Sequence, residues 1–185
     1  FIPTVMAGLS HTSRGDVRRA AILATVCVCF ARNGFHATSM QDLLSVTGLS
    51  AGAFYRYFPS KESIVTAVAQ SVLAEVSNSV SAGELASNPP SASILLRRIL
   101  LATERLEREQ GSARLAMQFW AEGLRNPELA RLLKEAFASV LNWLEDVIRT
   151  LQQRGELAST VSASKIASLF LALVHGFMIQ HTLLG

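Results

Sequence analysis

The sequence predicts an all-α chain: an N-terminal three-helix unit with a helix-turn-helix, joined by a linking helix to a larger helical bundle. Three observations carry that expectation. Ala, Leu, Glu and Arg recur at helix-period spacing, while strand-like alternation is nearly absent. Half of the 185 residues are hydrophobic and 17% are charged, which suits a buried core and argues against disorder. Glycines and Asn-Pro pairs then cut the chain into helix-length pieces.

Taken in order, Phe1–Ser13 reads as a disordered arm or as residues foreign to the native chain, since the sequence begins with Phe. Helix one is expected from about Asp16 to Asn33, closed by Gly34 in a left-handed C-cap. Helix two follows from about Ser39 to Thr47 and ends at Gly48. Thr38 and Gln41 form a capping-box pattern at its start, with Ser39 as the alternative cap. Leu49 supplies an apolar turn residue, and Ser50 can cap a third helix through Tyr57. Pro59 and Ser60 separate it from a linking helix over Lys61–Ala82. The segment Gly83–Ser93, with Asn88-Pro89-Pro90, reads as a loop and a candidate boundary. Further helices are expected at about 93–109, 112–124, 127–154 and 163–183. The domain reading is 1–13 arm, 14–60 helix-turn-helix unit, and 61–185 linking helix with a ligand-binding and dimerisation bundle.

Charge is distributed unevenly. Six of the 17 basic residues (Arg14, Arg18, Arg19, Arg32, Arg56, Lys61) and three of the 14 acidic ones (Asp16, Asp42, Glu62) lie before residue 71. Eleven of each remain beyond it, so the whole net charge of +3 sits in the N-terminal third and favours a polyanion there. Ala20–Ala31 is too short an apolar run to cross a bilayer. Ile166–Gly185 is long enough but is interrupted by Ser168, His175, Gln180 and His181, so neither is read as membrane-spanning. The N-terminus carries no secretory pattern. Cys27 and Cys29, two apart on one helix, point to different sides and read as small buried hydrophobes. A cytoplasmic location follows.

Leu43, Leu44, Val46, Leu49, Phe54 and Phe58 can pack against Ile22, Val26 and Phe30, closing a trihelical core. The outward residues carry the function. Ala51, Gly52 and Ala53 are small, and a mid-helix glycine costs about 1 kcal/mol relative to Ala. Its acceptance points either to a close approach of DNA or to tight packing within the chain. Lys61 sits against the positive end of its helix dipole, which makes sense beside a phosphate; a solvated lysine offset by Glu62 is the alternative. The hydroxyls of Thr38 and Ser39 either meet phosphate or cap a helix. Tyr55 and Tyr57 can donate to phosphates, and Arg56 is as well explained by solvent as by DNA.

The run Phe30-Ala-Arg-Asn-Gly-Phe-His-Ala-Thr-Ser39, followed by Gly48-Leu-Ser-Ala-Gly-Ala-Phe-Tyr-Arg-Tyr-Phe-Pro-Ser-Lys-Glu62, resembles the TetR family of bacterial regulators over about Arg18–Val68. Beyond that stretch the resemblance rests on length, helicity and fragments such as Gln118-Phe-Trp-Ala-Glu122. It implies a homodimer on a palindromic double-stranded operator, usually repressing until a small molecule binds. Carried over by position, Thr38, Ser39, Gln41, Ser50, Ala51, Gly52, Ala53, Tyr55, Tyr57 and Lys61 would face DNA. Ala51 and Ala53 stand where the family often has Lys or Arg and Thr or Ser. Fewer base contacts would follow, leaving readout to DNA shape or to Gln41 and Tyr55.

The neutral C-terminal region has no reason to touch DNA. Its last helix is apolar on nearly every side (Ile166, Leu169, Phe170, Leu173, Val174, Phe177, Met178, Leu183) and is expected to be buried, partly by a two-fold partner together with the helix at 127–154. An intrachain core helix is the alternative. Met117, Phe119, Trp120, Phe137, Trp143, Phe170, His175 and Met178 either line an apolar pocket for a small hydrophobic or amphipathic effector or fill the core. Gln118, Asn142 or His175 would be the orienting polar groups. His175 and His181, six apart, have the wrong spacing for one metal, and no cofactor is expected. No nucleophile–base pair, carboxylate pair or phosphate loop appears, so the chain does not read as an enzyme. The competing function is a helical small-molecule carrier with a vestigial helix-turn-helix. For a regulator, a ligand would shift the helix at 61–82 and change the spacing of two recognition helices, whose half-sites lie about 34 Å apart.

Overall fold

A computed structural model describes residues 14–81 and 88–184. The expected arm at Phe1–Ser13 and most of the loop at Gly83–Ser93 lie outside the described residues. Within them the chain forms α1 (Arg14–Asn33), α2 (Met40–Thr47), α3 (Ala51–Tyr57), α4 (Lys61–Ser81), α5 (Ala92–Gln110), α6 (Ser112–Gly123), α7 (Pro127–Gln153) and α8 (Ala163–Leu184), with no strand.

The helix ends follow from local chemistry. Gly34 (φ 86°) and Gly48 (φ 63°) take the left-handed conformation that closes α1 and α2 and that a Cβ would strain. The capping box of α2 is Ser39 with Asp42, not Thr38 with Gln41: the Asp42 amide N–H donates to Ser39 Oγ (3.1 Å), and the Ser39 N–H donates back to the carboxylate (2.8 Å). Ser50 accepts from the Ala53 N–H at the start of α3. Asn126 accepts from the N–H groups of Glu128 and Leu129, with Pro127 opening α7.

Phe30, Phe54 and Phe58 are fully buried, with Val26, Leu43 and Ile64 around them. Each such side chain contributes about 1.5–3 kcal/mol relative to leaving it in water. Val46 departs from the expected core, being 48% exposed. This core does not end with the helix-turn-helix. It continues through Phe35, Phe119, Leu115, Leu129 and Leu133, so α6 and α7 pack directly on the N-terminal helices. A separate cluster of Leu95, Val147 and Leu151 joins α5 to α7 and is closed by Trp143, Phe170 and Leu157.

Candidate DNA-binding surface and effector cavity

On the outer side of α2 and α3, Ser39, Gln41, Ser50, Ala51, Gly52 and Tyr55 are exposed, while Ala53, Tyr57 and Lys61 are half-buried. A Cβ built on Gly52 meets nothing within 4 Å. Tight packing within the chain therefore does not account for this glycine. Tyr55 is 45% exposed, whereas the Tyr57 ring leans on the core beside Phe58 and lies 6.0 Å from the Arg56 guanidinium carbon.

Two of the expected DNA-facing residues are placed differently. Thr38 is fully buried, and its hydroxyl donates to the Gly34 carbonyl at 2.7 Å. It locks the α1–α2 turn rather than presenting a hydroxyl to phosphate. Lys61 does not stand alone against its helix dipole. Its ammonium donates to the His36 carbonyl at 3.2 Å and lies close enough to lower the pKa of both Asp42 and Glu62. An intrachain bond between α4 and the α1–α2 turn thus explains its position without a phosphate. The Asp42 carboxyl is held below its ordinary range chiefly by the Ser39 hydroxyl and amide, with Lys61 adding a smaller share.

Behind this surface lies a cavity of about 330 Å³, within the size range of ligand sites. Its walls come from six helices. α1 gives Ala20, Leu23, Ala24, Cys27 and Val28, and α4 gives Val68, Ser71, Val72, Leu73 and Val76. Thr103, Leu115, Phe119, Trp120, Leu133, Phe137, Val140, Leu171, His175 and Met178 belong to the remaining wall. Among the described residues, no Asp, Glu, Lys or Arg lines it. The imidazole of His175 packs edge-on against Trp120 (4.8 Å between ring centres) and beside Phe137 (5.5 Å). Burial pushes its pKa below the usual histidine value, so the ring is neutral at physiological pH.

The cavity gathers Trp120, Phe137, His175 and Met178 of the expected pocket residues, and Phe119 with them. Trp143 and Phe170 belong instead to the α5–α7 cluster, where the buried Trp143 indole N–H finds no partner among the described residues. Met117 is half-buried outside the lining, and Asn142 is exposed on α7. Gln118 is tied into the α1–α2 turn, accepting from the Phe35 N–H and donating to the Phe30 carbonyl. Cys29 is buried as expected, but Cys27 is half-buried and lines the cavity. The expected lining includes no residue of α1 or α4, although the ligand is expected to act on the helix at 61–82; on α1 the small residues Ala20 and Ala24, a turn apart, are a trace of that wall in the sequence.

Within one copy the last helix is only partly covered. α8 packs on α5, α6 and α7, yet only Ala163 and Ala167 are buried. Leu169 is 69% and Leu173 54% exposed, and Leu183 and Leu184 also stand in the open. By length and composition it is apolar enough to cross a membrane, while its inner face carries cavity residues Leu171, His175 and Met178.

Comparison with known proteins adds an independent line. Residues 22–68 match the family described as "Bacterial regulatory proteins, tetR family", and residues 95–185 match "BetI-type transcriptional repressor, C-terminal". The chain is 26% identical to the HTH-type transcriptional regulator UidR of Escherichia coli K12 over 161 residues, 86% of this chain and 79% of that protein. Among solved structures, Salmonella enterica GusR shares 26% identity with a TM-score of 0.70, covering 91% of this chain and 85% of its own. A transcriptional regulator from Saccharomonospora viridis, solved in complex with choline, shares 26% identity with a TM-score of 0.76, covering 90% and 85%.

Proposed function

This chain belongs to the TetR family of bacterial regulatory proteins, and from that premise we propose that it is a homodimeric repressor released from a palindromic operator by a small, mostly apolar effector. It is a helix-turn-helix transcriptional regulator, as its relatives are, and not an enzyme. A cytoplasmic location follows from such a role.

One observation carries the proposal: the cavity takes one wall from the DNA-binding unit and another from the helix that links it to the bundle. A ligand there touches α1, which belongs to the trihelical core, and α4, which leads out of it. The expected route through α4 alone is thereby widened to include α1. Because the described lining has no charged side chain and is mostly apolar, burying an unpaired charge there would be costly, which favours an uncharged effector. Trp120 and Phe137 offer ring faces to a quaternary ammonium such as the choline held by the Saccharomonospora viridis relative, but no carboxylate among the described residues accompanies them.

On the DNA side, Ser39, Gln41, Ser50, Ala51, Gly52, Ala53, Tyr55, Tyr57 and Lys61 form the contact surface. Gly52 lets the backbone approach closely, and Gln41 and Tyr55 are the longest exposed side chains for base edges. The proposed dimer interface is α8 together with α7, the exposed Leu169, Leu173, Leu183 and Leu184 of α8 supporting it as an apolar face that a two-fold partner would cover. Residues 14–60 form the DNA-binding unit, and 61–185 the linking helix with the effector and dimer bundle.

Selecting genomic DNA fragments with the purified chain tests this reading. The expected result is a palindromic site retained over competitor DNA and weakened by an uncharged apolar compound more than by choline. Leu173→Glu should yield monomers by light scattering and lose the site. A carrier with a vestigial helix-turn-helix would retain no specific fragment, and that result would sink the proposal.

A further inference from the structure

We propose that Gln118 is the positioning residue through which the cavity governs the helix-turn-helix, holding the α1–α2 turn in its DNA-competent place until a ligand displaces α6. Such a role rests on the cavity being the effector site. α6 carries Leu115, Ala116, Phe119 and Trp120 on the cavity side and Gln118 on the adjoining face.

From that face the Gln118 amide reaches a turn 83 and 88 residues away in sequence. Its Oε1 accepts from the Phe35 backbone N–H at 2.6 Å, and its Nε2 donates to the Phe30 carbonyl at 3.2 Å. The two backbone groups bracket Gly34, where α1 ends and the chain turns toward α2. An amide both accepts and donates at this reach, whereas a carboxylate lacks the donor and an ammonium the acceptor.

The neighbouring residue supplies the link to the ligand. Phe119 lines the cavity, and its ring centre lies 5.2 Å from that of Phe35, which stands 4.9 Å from Phe30. A ligand that moves Phe119 therefore disturbs the residue whose amide Gln118 holds. The Thr38 hydroxyl bond to the Gly34 carbonyl lies within the turn itself, and the other side-chain bonds that reach the turn from α4 and from the end of α6 are exposed ones. Arg125 contacts His36 and Glu122, and Lys61 contacts the His36 carbonyl, where solvent weakens each. The part-buried Gln118 pair has the greater leverage.

The test uses the full chain, a DNA fragment that it selects, and the neutral fluorophore phenylnaphthylamine as cavity probe. Gln118→Met, similar in length but without hydrogen bonds, should bind the probe like wild type and the DNA about tenfold more weakly. The probe should then weaken DNA binding by a smaller factor than in wild type. In the wild-type chain, probe binding should speed hydrogen exchange at the Phe35 amide. Unchanged DNA affinity and coupling in Gln118→Met, or Phe35 exchange that ignores the probe, would overturn the role. If Gln118→Met does not fold, Gln118→Glu, which keeps the acceptor alone, is read in the same way. If the probe does not bind wild type, the cavity reading falls. The DNA affinity of Gln118→Met then still decides the positioning role, weakened binding supporting it and unchanged binding refuting it.

Discussion

The proposed DNA-facing surface and the cavity are built in opposite ways. The first comes from one short stretch, residues 39–61, whose polar groups are satisfied largely by neighbours: Ser39 with Asp42, Ser50 with Ala53, Ser60 with Ser63. The cavity draws on six helices between Ala20 and Met178 and owes nothing to any local motif. A surface made locally tolerates change residue by residue. A void made by distant walls depends on how the whole molecule packs. The two meet at Phe30, Phe35 and Phe119, where the trihelical core continues into α6.

That contrast yields four expectations, the largest first. Phe30→Ala removes a fully buried ring from the meeting point and should cost about 3–5 kcal/mol of stability by denaturant unfolding, damaging both regions together. Gly52→Ala should separate them. The new methyl enters open space and relieves the helix of about 0.5–1 kcal/mol, raising the melting temperature while weakening operator binding and leaving probe affinity unchanged. Tighter operator binding would show that the glycine does not serve close approach to DNA.

Lys61→Ala should act on the DNA side alone, lowering the dependence of log affinity on log salt by about one unit across all sequences. An unchanged slope would leave Lys61 with only its bond to His36. The smallest effect concerns the cavity. His175 has a folded pKa below its unfolded value near 6.5, so the unfolded chain binds more protons in the window between the two. Stability is complete above that window and declines as pH falls through it toward the lowered folded pKa. His175→Phe should flatten this part of a stability-versus-pH curve; if the slope persists unaltered, another group causes it.

The same contrast explains what was legible in the sequence. Helix ends were readable to within two residues because Gly34, Gly48, Gly111 and Asn126-Pro127 act locally. The α2 cap slipped by one position because Thr38 and Ser39 look alike in sequence, and only burial turns the first inward to Gly34. Helical period indicates which side of a helix is covered, not whether the covering atoms leave a gap. Trp143 and Phe170 were therefore assigned to the pocket with Trp120 and Phe137, although the former pair fills a separate cluster. The α1 wall is not legible because α1 packs on both α2 and α6, and only the first of these neighbours is close in sequence. Val46 looked apolar enough for the core and stands in solvent at the outer edge of α2.

The dual use of α1 also constrains how such a regulator can be retuned. Ala24, Cys27 and Val28 border the cavity on the same helix that supports the recognition surface through Val26 and Phe30. An inherited change that enlarges the void at those positions alters ligand preference and repression together, so selection for a new inducer would be penalised by leaky expression. Thr103, Val140 and Leu171 border the void from α5, α7 and α8 and carry no such burden. A library meant to produce sensors for new compounds belongs at those three positions first.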